Sequence, residues 1–448
     1  MAQAPPRNPS GSRRRTLLGG ALAVPAVAAA AACGAESGPP APASSPVTIT
    51  YHSGLPETHP TGAARLQLLE EFNRTNTQKI TVDLTEGRAA TTETKAKTLA
   101  AAGTPPHLFY VAYFSVTEFL VGGMTVDVDT ELKGDKDWGK QRGDLFPSML
   151  ESSMWGGKVA GIPVDTNNQA VIYNTALLQQ AGVAPPKQGW TWDDFKTVVQ
   201  RFVRPDVVPL SMAWAGTWRH WLGTMGARVI TRDSKKITAD TPEMLEVMQL
   251  YLDFLKRGII LKTPDGQGAL FETYQLAKND TVFEVQGPYR IPTLEQKGAP
   301  PYLTIHVPVH PQKKQLSAGN GGWNVVVFKD IPLDRRRAAL QTGLWMNAPY
   351  AQTQFCIRSI NIPVSKATLE SKEFQDYARA NPAFKGFADL APYGWRWPAL
   401  PSYARINKVA DDGVIAIMKE EIGAKAGLAR IQQEAQSLLD EDLRLLPA

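Results

Sequence analysis

Apolar and polar residues alternate through Val47-Thr48-Ile49-Thr50-Tyr51, the period of a half-buried strand, and a polar loop from His52 to Pro60 follows. The period then changes, with Leu66, Leu69 and Phe72 on one face of a helix over Gly62 to Thr75. Lys79 to Leu84 alternates again, Thr92 to Ala102 reads as helix, and Leu108-Phe109-Tyr110-Val111 is a short apolar run that makes the third strand. This β-α-β-α-β order predicts a mostly parallel sheet covered by helices. Ligands of open α/β sheets bind beyond the carboxyl ends of the strands, so His52 to Pro60 and Ala112 to Thr117 are the first loops to inspect.

Further along, Trp190 to about Arg257 is helix-rich: Thr191 is placed to cap Trp192 to Phe202, and Thr241-Pro242-Glu243 opens another helix. Strand patterns return at Tyr302 to Val309 and at Trp323 to Phe328, and Leu428 to Leu446 is an amphipathic helix. No internal repeat interrupts this order.

The N-terminus has a different character. A basic stretch ends at Arg15, a small or apolar run of 17 residues extends from Thr16 to Ala32, and Cys33 follows, the layout of an export signal. The run is short, rich in alanine and broken by Gly19, Gly20 and Pro25, whereas a membrane span needs about 20 strongly apolar residues. Gly34 to Pro46 is Ala, Pro, Ser and Gly with a single acid, a composition suited to a tether.

Charge looks basic, with 48 Lys and Arg against 43 Asp and Glu, but Arg7, Arg13, Arg14 and Arg15 lie in the first 32 residues, which hold no acid. Without them the balance is 44 against 43, so the folded part carries no general attraction for nucleic acid or acidic lipid. The only cysteine besides Cys33 is Cys356, in the apolar run Phe355-Cys356-Ile357, where a small buried hydrophobe is expected.

No P-loop occurs, and Gly266-Gln267-Gly268 lacks the third glycine of a dinucleotide fingerprint; Gly-x-Ser-x-Gly, Ser-x-x-Lys and His-Glu-x-x-His are also absent. His306 with His310, and His52 with His59, form spaced pairs that no third ligand completes, so these read as surface or cleft histidines and no metal is expected. Asp127, Asp129 and Glu131 begin like a calcium loop but place Gly134 two positions late, and read as a solvated acidic loop. The informative excess is 11 Trp, clustered at Trp214, Trp218 and Trp221 and at Trp395 and Trp397. Flat rings suit stacking on sugars, although core packing accounts for any single Trp equally well.

Ser12-Arg13-Arg14-Arg15-Thr16-Leu17-Leu18 resembles a twin-arginine export signal, and Ala30-Ala31-Ala32-Cys33-Gly34 resembles a bacterial lipobox, in which the cysteine is lipidated; ordinary signal-peptidase cleavage is the alternative. Gly161-Ile162-Pro163-Val164-Asp165-Thr166-Asn167-Asn168-Gln169-Ala170-Val171-Ile172-Tyr173-Asn174 is similar to the Gly-x-Pro to Tyr-Asn stretch of extracellular solute-binding lipoproteins of the maltose-binding type. Trp190 to Phe195, Gln286-Gly287-Pro288-Tyr289 and Gly319 to Val326 resemble further segments of that family. Departures occur at Pro105-Pro106-His107, at Lys278-Asn279-Asp280 and at Tyr289, where the family usually has Trp, and they bear on which sugar rather than on membership.

The resemblance implies an α/β fold of the two-lobed periplasmic-binding-protein type (type II), with a hinge and an interlobe ligand cleft. It implies an export signal over 1–32, a tether over 33–46, lobe one over 47–164 and 315–362, and lobe two over 165–314 and 363–448. Carried over by position, lobe one would present His52, Ser53, Glu57, Tyr113, Phe114 and Trp323, the hinge Asp165 and Asn167, and lobe two Trp214, Trp218, Tyr289 and Trp395 to Tyr403. The implied role is capture of a sugar or oligosaccharide for an ATP-binding-cassette importer, by a monomer anchored through Cys33, with no cofactor, catalytic residue or nucleic-acid partner. Two readings stay open beside it. One is a non-sugar cargo such as a glycerophosphodiester or polyamine: a cationic cargo would need a carboxylate partner, and a phosphate would need arginines, of which Arg219, Arg290 and Arg396 are available; the other is a glycan-cleaving enzyme using Asp165, Glu57 or Asp193-Asp194.

Overall fold

The computed structural model describes residues 46–212, 214–260 and 279–446; the segment expected to direct export, Cys33 and almost all of the expected tether lie outside them. Strand β1 (Val47–Ser53) pairs in parallel with β2 (Ile80–Asp83) and β3 (Leu108–Ala112). The helix after β1 runs Pro60–Thr75. His59 caps it by accepting the Thr61 N–H, and Pro60 fills a first-turn position that needs no donor. Its Leu66, Leu69 and Phe72 bury against Ile49, Tyr51 and Val82. Asn76 ends it, its amide donating to the Phe72 and Ile80 carbonyls and accepting the Ile80 N–H, which turns the chain directly into β2.

Four short or connecting strands follow: β4 (Met154–Trp155) and β5 (Lys158–Val159) form a hairpin, and β6 (Ile162–Asn168) leads into β7 (Ala170–Asn174). The remaining strands are β8 (Val208–Ser211), β9 (Thr281–Gln286), β10 (Tyr302–Ile305), β11 (Ala318–Val327) and β12 (Gly394–Trp395). The first sheet has the order β12-β11-β3-β1-β2 with β6 also on β11, and the second the order β10-β7-β9-β8. The parallel part expected from sequence is β2-β1-β3; β11 runs antiparallel to β3 and to β6.

Two sheets, each with its own helices, make the two-lobed α/β fold that the resemblance implied. Only Gln169 separates β6 from β7, so one extended stretch leaves the first sheet and enters the second. Beside it, Gly319 accepts the Gln169 N–H and Thr166 accepts the Ile362 N–H, which lays three segments together where the sheets meet. The second sheet packs on a core of rings, with Phe195–Phe283 and Trp221–Phe254 centroids each 5.5 Å apart. Trp190, Trp192, Trp218 and Trp221 all belong to that core, so much of the tryptophan excess serves packing.

Several local expectations need correction. β10 ends at Ile305 because Pro308 has no N–H to donate and Val309 exchanges hydrogen bonds with Trp190 and Trp192 instead. β11 starts five residues before Trp323: its polar, glycine-rich first half carries no apolar alternation and is held by pairing with β6 and β12. His306 and His310 are buried, not at the surface. His306 Nε2 accepts the Gly189 N–H, and His310 Nε2 meets the Glu246 carboxylate at 3.0 Å. Val128–Glu131 is a helical turn capped by Asp127 rather than a solvated loop, with Asp129 paired to Arg142 at 3.0 Å and accepting from the Trp138 indole. Cys356 is fully buried, and burial pushes its thiol pKa up. No helix among the described residues is long and apolar enough to cross a membrane.

Candidate functional site

Where the two sheets meet, both contribute to a cavity of about 270 Å³. Tyr113 and Phe114, in the tight turn after β3, form one wall. Gln169 and Gly319-Asn320-Gly321, from the crossing strands, form the floor. Thr217, Arg219 and His220, from the helix Trp214–Gly223, together with Trp395, Trp397 and Tyr403, close the other side. The loop after β3 is thus at the cavity, as the strand-end rule anticipates, whereas the loop after β1 is not.

The floor is glycine for steric reasons. A Cβ on Gly319 would stand 2.2 Å from the His220 ring, and one on Gly322, whose φ is +132°, would stand 2.2 Å from the Arg396 guanidinium. The Gly319 N–H donates to His220 Nδ1 at 3.2 Å, so the ring proton is on Nε2, which has no partner among the described residues. Burial, helped by the adjacent Arg219 charge, pushes the His220 pKa down to about 3. His220 is therefore a neutral donor on the cavity wall.

Two arginines hold the walls in place. The Arg219 guanidinium lies 4.4 Å from the Trp218 ring and 4.9 Å from that of Trp397, and donates to Asp411 at 2.8 Å and Asn407 at 2.9 Å. Its charge is thereby neutralised. Arg396 donates to the Gly321 carbonyl at 2.7 Å and the Asp165 carbonyl at 2.9 Å, with its guanidinium 4.8 Å over the Tyr113 ring, tying the segment after β12 to β6 and β11. Burial lowers its pKa to about 10. Arg290, the third cation considered for an anionic cargo, is buried against Glu284.

Of the residues proposed from sequence, Tyr113, Phe114, Trp395 and Tyr403 come together at the cavity. Phe114 stacks on Tyr403 with centroids 5.0 Å apart and planes at 12°, and the Trp395 indole donates to Ser317 at 2.8 Å. Asn167 lies just behind the floor, where a Cβ on Gly321 would meet its side chain at 2.8 Å. Asp165 and Trp323 sit one layer deeper. Asp165 is fully buried, its Oδ1 accepts the Trp323 N–H at 2.8 Å, and its Oδ2 has no partner. Burial pushes its pKa up to about 7 against the pull of Arg65 and Arg396. Trp323 stacks on Tyr110 at 5.2 Å.

The others lie elsewhere. His52 is in β1 and faces a separate groove with Thr50 and His107, because alternate strand residues point to opposite faces. Ser53 closes a turn with Leu55. Glu57 is exposed and paired with Arg88 at 2.8 Å. Trp218 is core behind Arg219, and Tyr289 donates to Gln286 at 2.9 Å away from the cavity lining. The Trp214 side chain lies outside the described residues, as does Cys33. Among the described residues, no group of three or more His, Cys, Asp or Glu is placed to hold a metal ion.

Sequence reasoning missed Gln169, His220 and Asn320 as lining residues. Gln169 and Asn320 were inside quoted motifs without being chosen. Nothing local marks His220, whose role depends on Gly319, 99 positions away.

The geometry defines a two-lobed α/β protein with an interlobe cavity, and comparison with known proteins assigns the family. Residues 67–384 match the model of bacterial extracellular solute-binding proteins, and the chain belongs to that family. A probable ABC transporter-binding protein of Deinococcus radiodurans is 22% identical over 283 residues, covering 59% of this chain and 65% of that protein. The aligned part thus spans less than two thirds of that relative's length. The cyclic alpha-maltosyl-1,6-maltose binding protein of Arthrobacter globiformis superposes with a TM-score of 0.75 at 17% identity, over 89% of this chain and all of that one. UgpB of Mycobacterium tuberculosis, solved with glycerophosphocholine, gives 0.69 at 16% identity, over 90% of this chain and all of that one. At these identities the likeness carries the fold.

Proposed function

We propose that this chain captures a sugar or oligosaccharide outside the cytoplasm and delivers it, chemically unchanged, to the permease of an ATP-binding-cassette importer. The observation that carries the reading is the cavity itself: aromatic rings (Tyr113, Phe114, Trp395, Trp397, Tyr403) face neutral hydrogen-bonding groups (Gln169, Asn320, Thr217 and His220 Nε2). Rings stack on the apolar faces of a pyranose, while amides, a hydroxyl and an imidazole N–H bind its hydroxyl groups. Its volume of about 270 Å³ is near the lower end of the roughly 300–1,000 Å³ typical of small-molecule sites, which suits one or two sugar rings held between lobes. An anionic cargo is disfavoured in this cavity, since Arg219 already pairs with Asp411 and Arg396 with backbone carbonyls.

In this reading lobe one comprises 47–164 and 315–362, lobe two comprises 165–314 and 363–448, and the lobes close about the crossing strands when cargo bridges them. The segment 1–32 directs export, by the twin-arginine route, and Cys33 carries the lipid that anchors a monomer to the outer face of the membrane through the tether 33–46. The names of the related proteins support capture for transport, and the one named for binding cyclic alpha-maltosyl-1,6-maltose agrees with a sugar. Thermal-shift screening of the chain against mono- and oligosaccharides, glycerophosphodiesters and polyamines tests it. A true cargo at a hundredfold excess over its dissociation constant stabilises the fold by about 2.7 kcal/mol. A shift with one sugar class, with no product on chromatography, is the expected result. A shift only with phosphodiesters or amines, or consumption of the sugar, rejects the proposal.

A further inference from the structure

Trp395 lines the interlobe cavity and also its neighbours. Beside the interlobe cavity, and bordered also by Ser317 and Gly223, lies a broad groove of about 930 Å³. It is lined by the loop Ala227–Arg232, by Lys314-Gln315 and by the exposed Tyr393. Its charge is one-sided: Arg228, Arg232 and Lys314 meet the single carboxylate Glu243.

None of those three cations makes a side-chain hydrogen bond or an ion pair within 4.0 Å among the described residues. The arginines nearest the interlobe cavity, by contrast, have partners: Arg219 pairs with Asp411, and Arg396 donates to backbone carbonyls. Arg228 is half-buried, and the nearby Arg232 charge works against its own, outweighing the pull of Glu151. Holding a partly desolvated guanidinium beside a second one with no carboxylate in contact is unfavourable, and a bound anion relieves it. The groove also offers Thr231, Thr238 and Gln315 for hydroxyl groups.

We propose that this groove extends the interlobe site and binds the acidic end of a carboxylate-bearing oligosaccharide, with Arg228 and Arg232 as its specificity residues. The inference rests on the sugar reading above. One sugar unit occupies the interlobe cavity, the chain passes Trp395, and uronate carboxylates meet the two guanidinium groups.

The test is calorimetric titration of the full chain with matched pairs of oligouronides and their methyl esters, which share a backbone and differ only in charge, alongside neutral mono- and disaccharides. The expected result is a preference of about tenfold or more for at least one acid over its ester at low salt, weakening as salt rises. Arg228→Gln with Arg232→Gln should abolish the preference while leaving neutral-sugar affinity unchanged and the melting temperature no lower, and Arg228→Lys alone should keep part of it. If neutral sugars bind but no acid is preferred, or the preference survives the double substitution, the groove assignment is overturned and the sugar reading stands. If no sugar of either kind binds, both fall.

Discussion

Asp411 and Asp412 are neighbours on the helix Tyr403–Met418, yet removing them should have very unequal consequences. Asp411 faces inward, with a side chain 18% exposed, and accepts from the Arg219 guanidinium at 2.8 Å, the Gly216 N–H at 3.1 Å, the Trp218 indole at 3.4 Å and the Asn407 amide at 2.9 Å. Asp412 faces outward and pairs only with Lys408, whose side chain is 73% exposed. Asp411→Ala strands the Arg219 charge between two tryptophan rings, and breaking such a buried pair costs about 3–5 kcal/mol. Unfolding entropy near 2.1 cal/mol/K per residue gives about 0.8 kcal/mol/K for the roughly 400 residues after the tether, so the melting temperature should fall by about 4–6 °C. Asp412→Ala should stay within about 1 °C of the parent, as exposed pairs do. Differential scanning calorimetry of both variants reads the contrast directly. Equal shifts, or an Asp411→Ala protein that melts with the parent, would refute the claim that this pair organises the cavity wall.

Three further outcomes follow from the same geometry. The Asp165 pKa is raised to about 7, so the folded state holds a proton that the unfolded state has lost; the associated stability is full below about pH 4 and vanishes as pH rises through 7. Asp165→Asn should therefore gain on the parent between pH 4 and pH 8 in thermal melts, and a constant difference would show that Asp165 does not titrate in that range. Gly319→Ala drives a methyl into His220 and should lower stability by about 1–3 kcal/mol and weaken cargo binding; parent-like melting and affinity would mean that the floor is less tightly packed than the 2.2 Å approach implies. His220→Phe removes a neutral donor, so cargo affinity should fall by a similar factor at pH 5.5 and pH 8, and a loss confined to the lower pH would point to a charged imidazole instead.

Local periodicity made the first sheet legible: β1, β2, β3 and the helices between them are short-range units whose faces alternate or repeat along the chain. The first half of β11 was not, because Gly319 to Gly322 have no apolar pattern and owe their conformation to pairing with β6 and β12, both far away in the chain. The same distinction divides the site. Tyr113 and Phe114 follow from the strand-end rule, and Trp395 and Tyr403 from a family resemblance. His52 and Ser53 were also at a strand end, but a single register position decides which face a side chain takes, and that depends on pairing. His220, Gln169 and Asn320 become lining residues only through contacts between the two sheets, which no window of sequence contains. The aromatic signal was real but divided: Trp190, Trp192, Trp218 and Trp221 fill the core of the second sheet, and Trp395 and Trp397 reach the cavity.

The central claim is that cargo binds between the lobes, against Trp395, and not at the loop after β1. Calorimetric titration of the sugar found by screening into the parent, Trp395→Ala and Glu57→Gln decides it. Trp395→Ala should lose at least about tenfold in affinity, as stacking worth roughly 1.4 kcal/mol or more requires. Glu57→Gln, a change at an exposed carboxylate already paired with Arg88, should bind like the parent. Parent-like binding by Trp395→Ala, with a loss in Glu57→Gln, would place the cargo elsewhere and contradict the account.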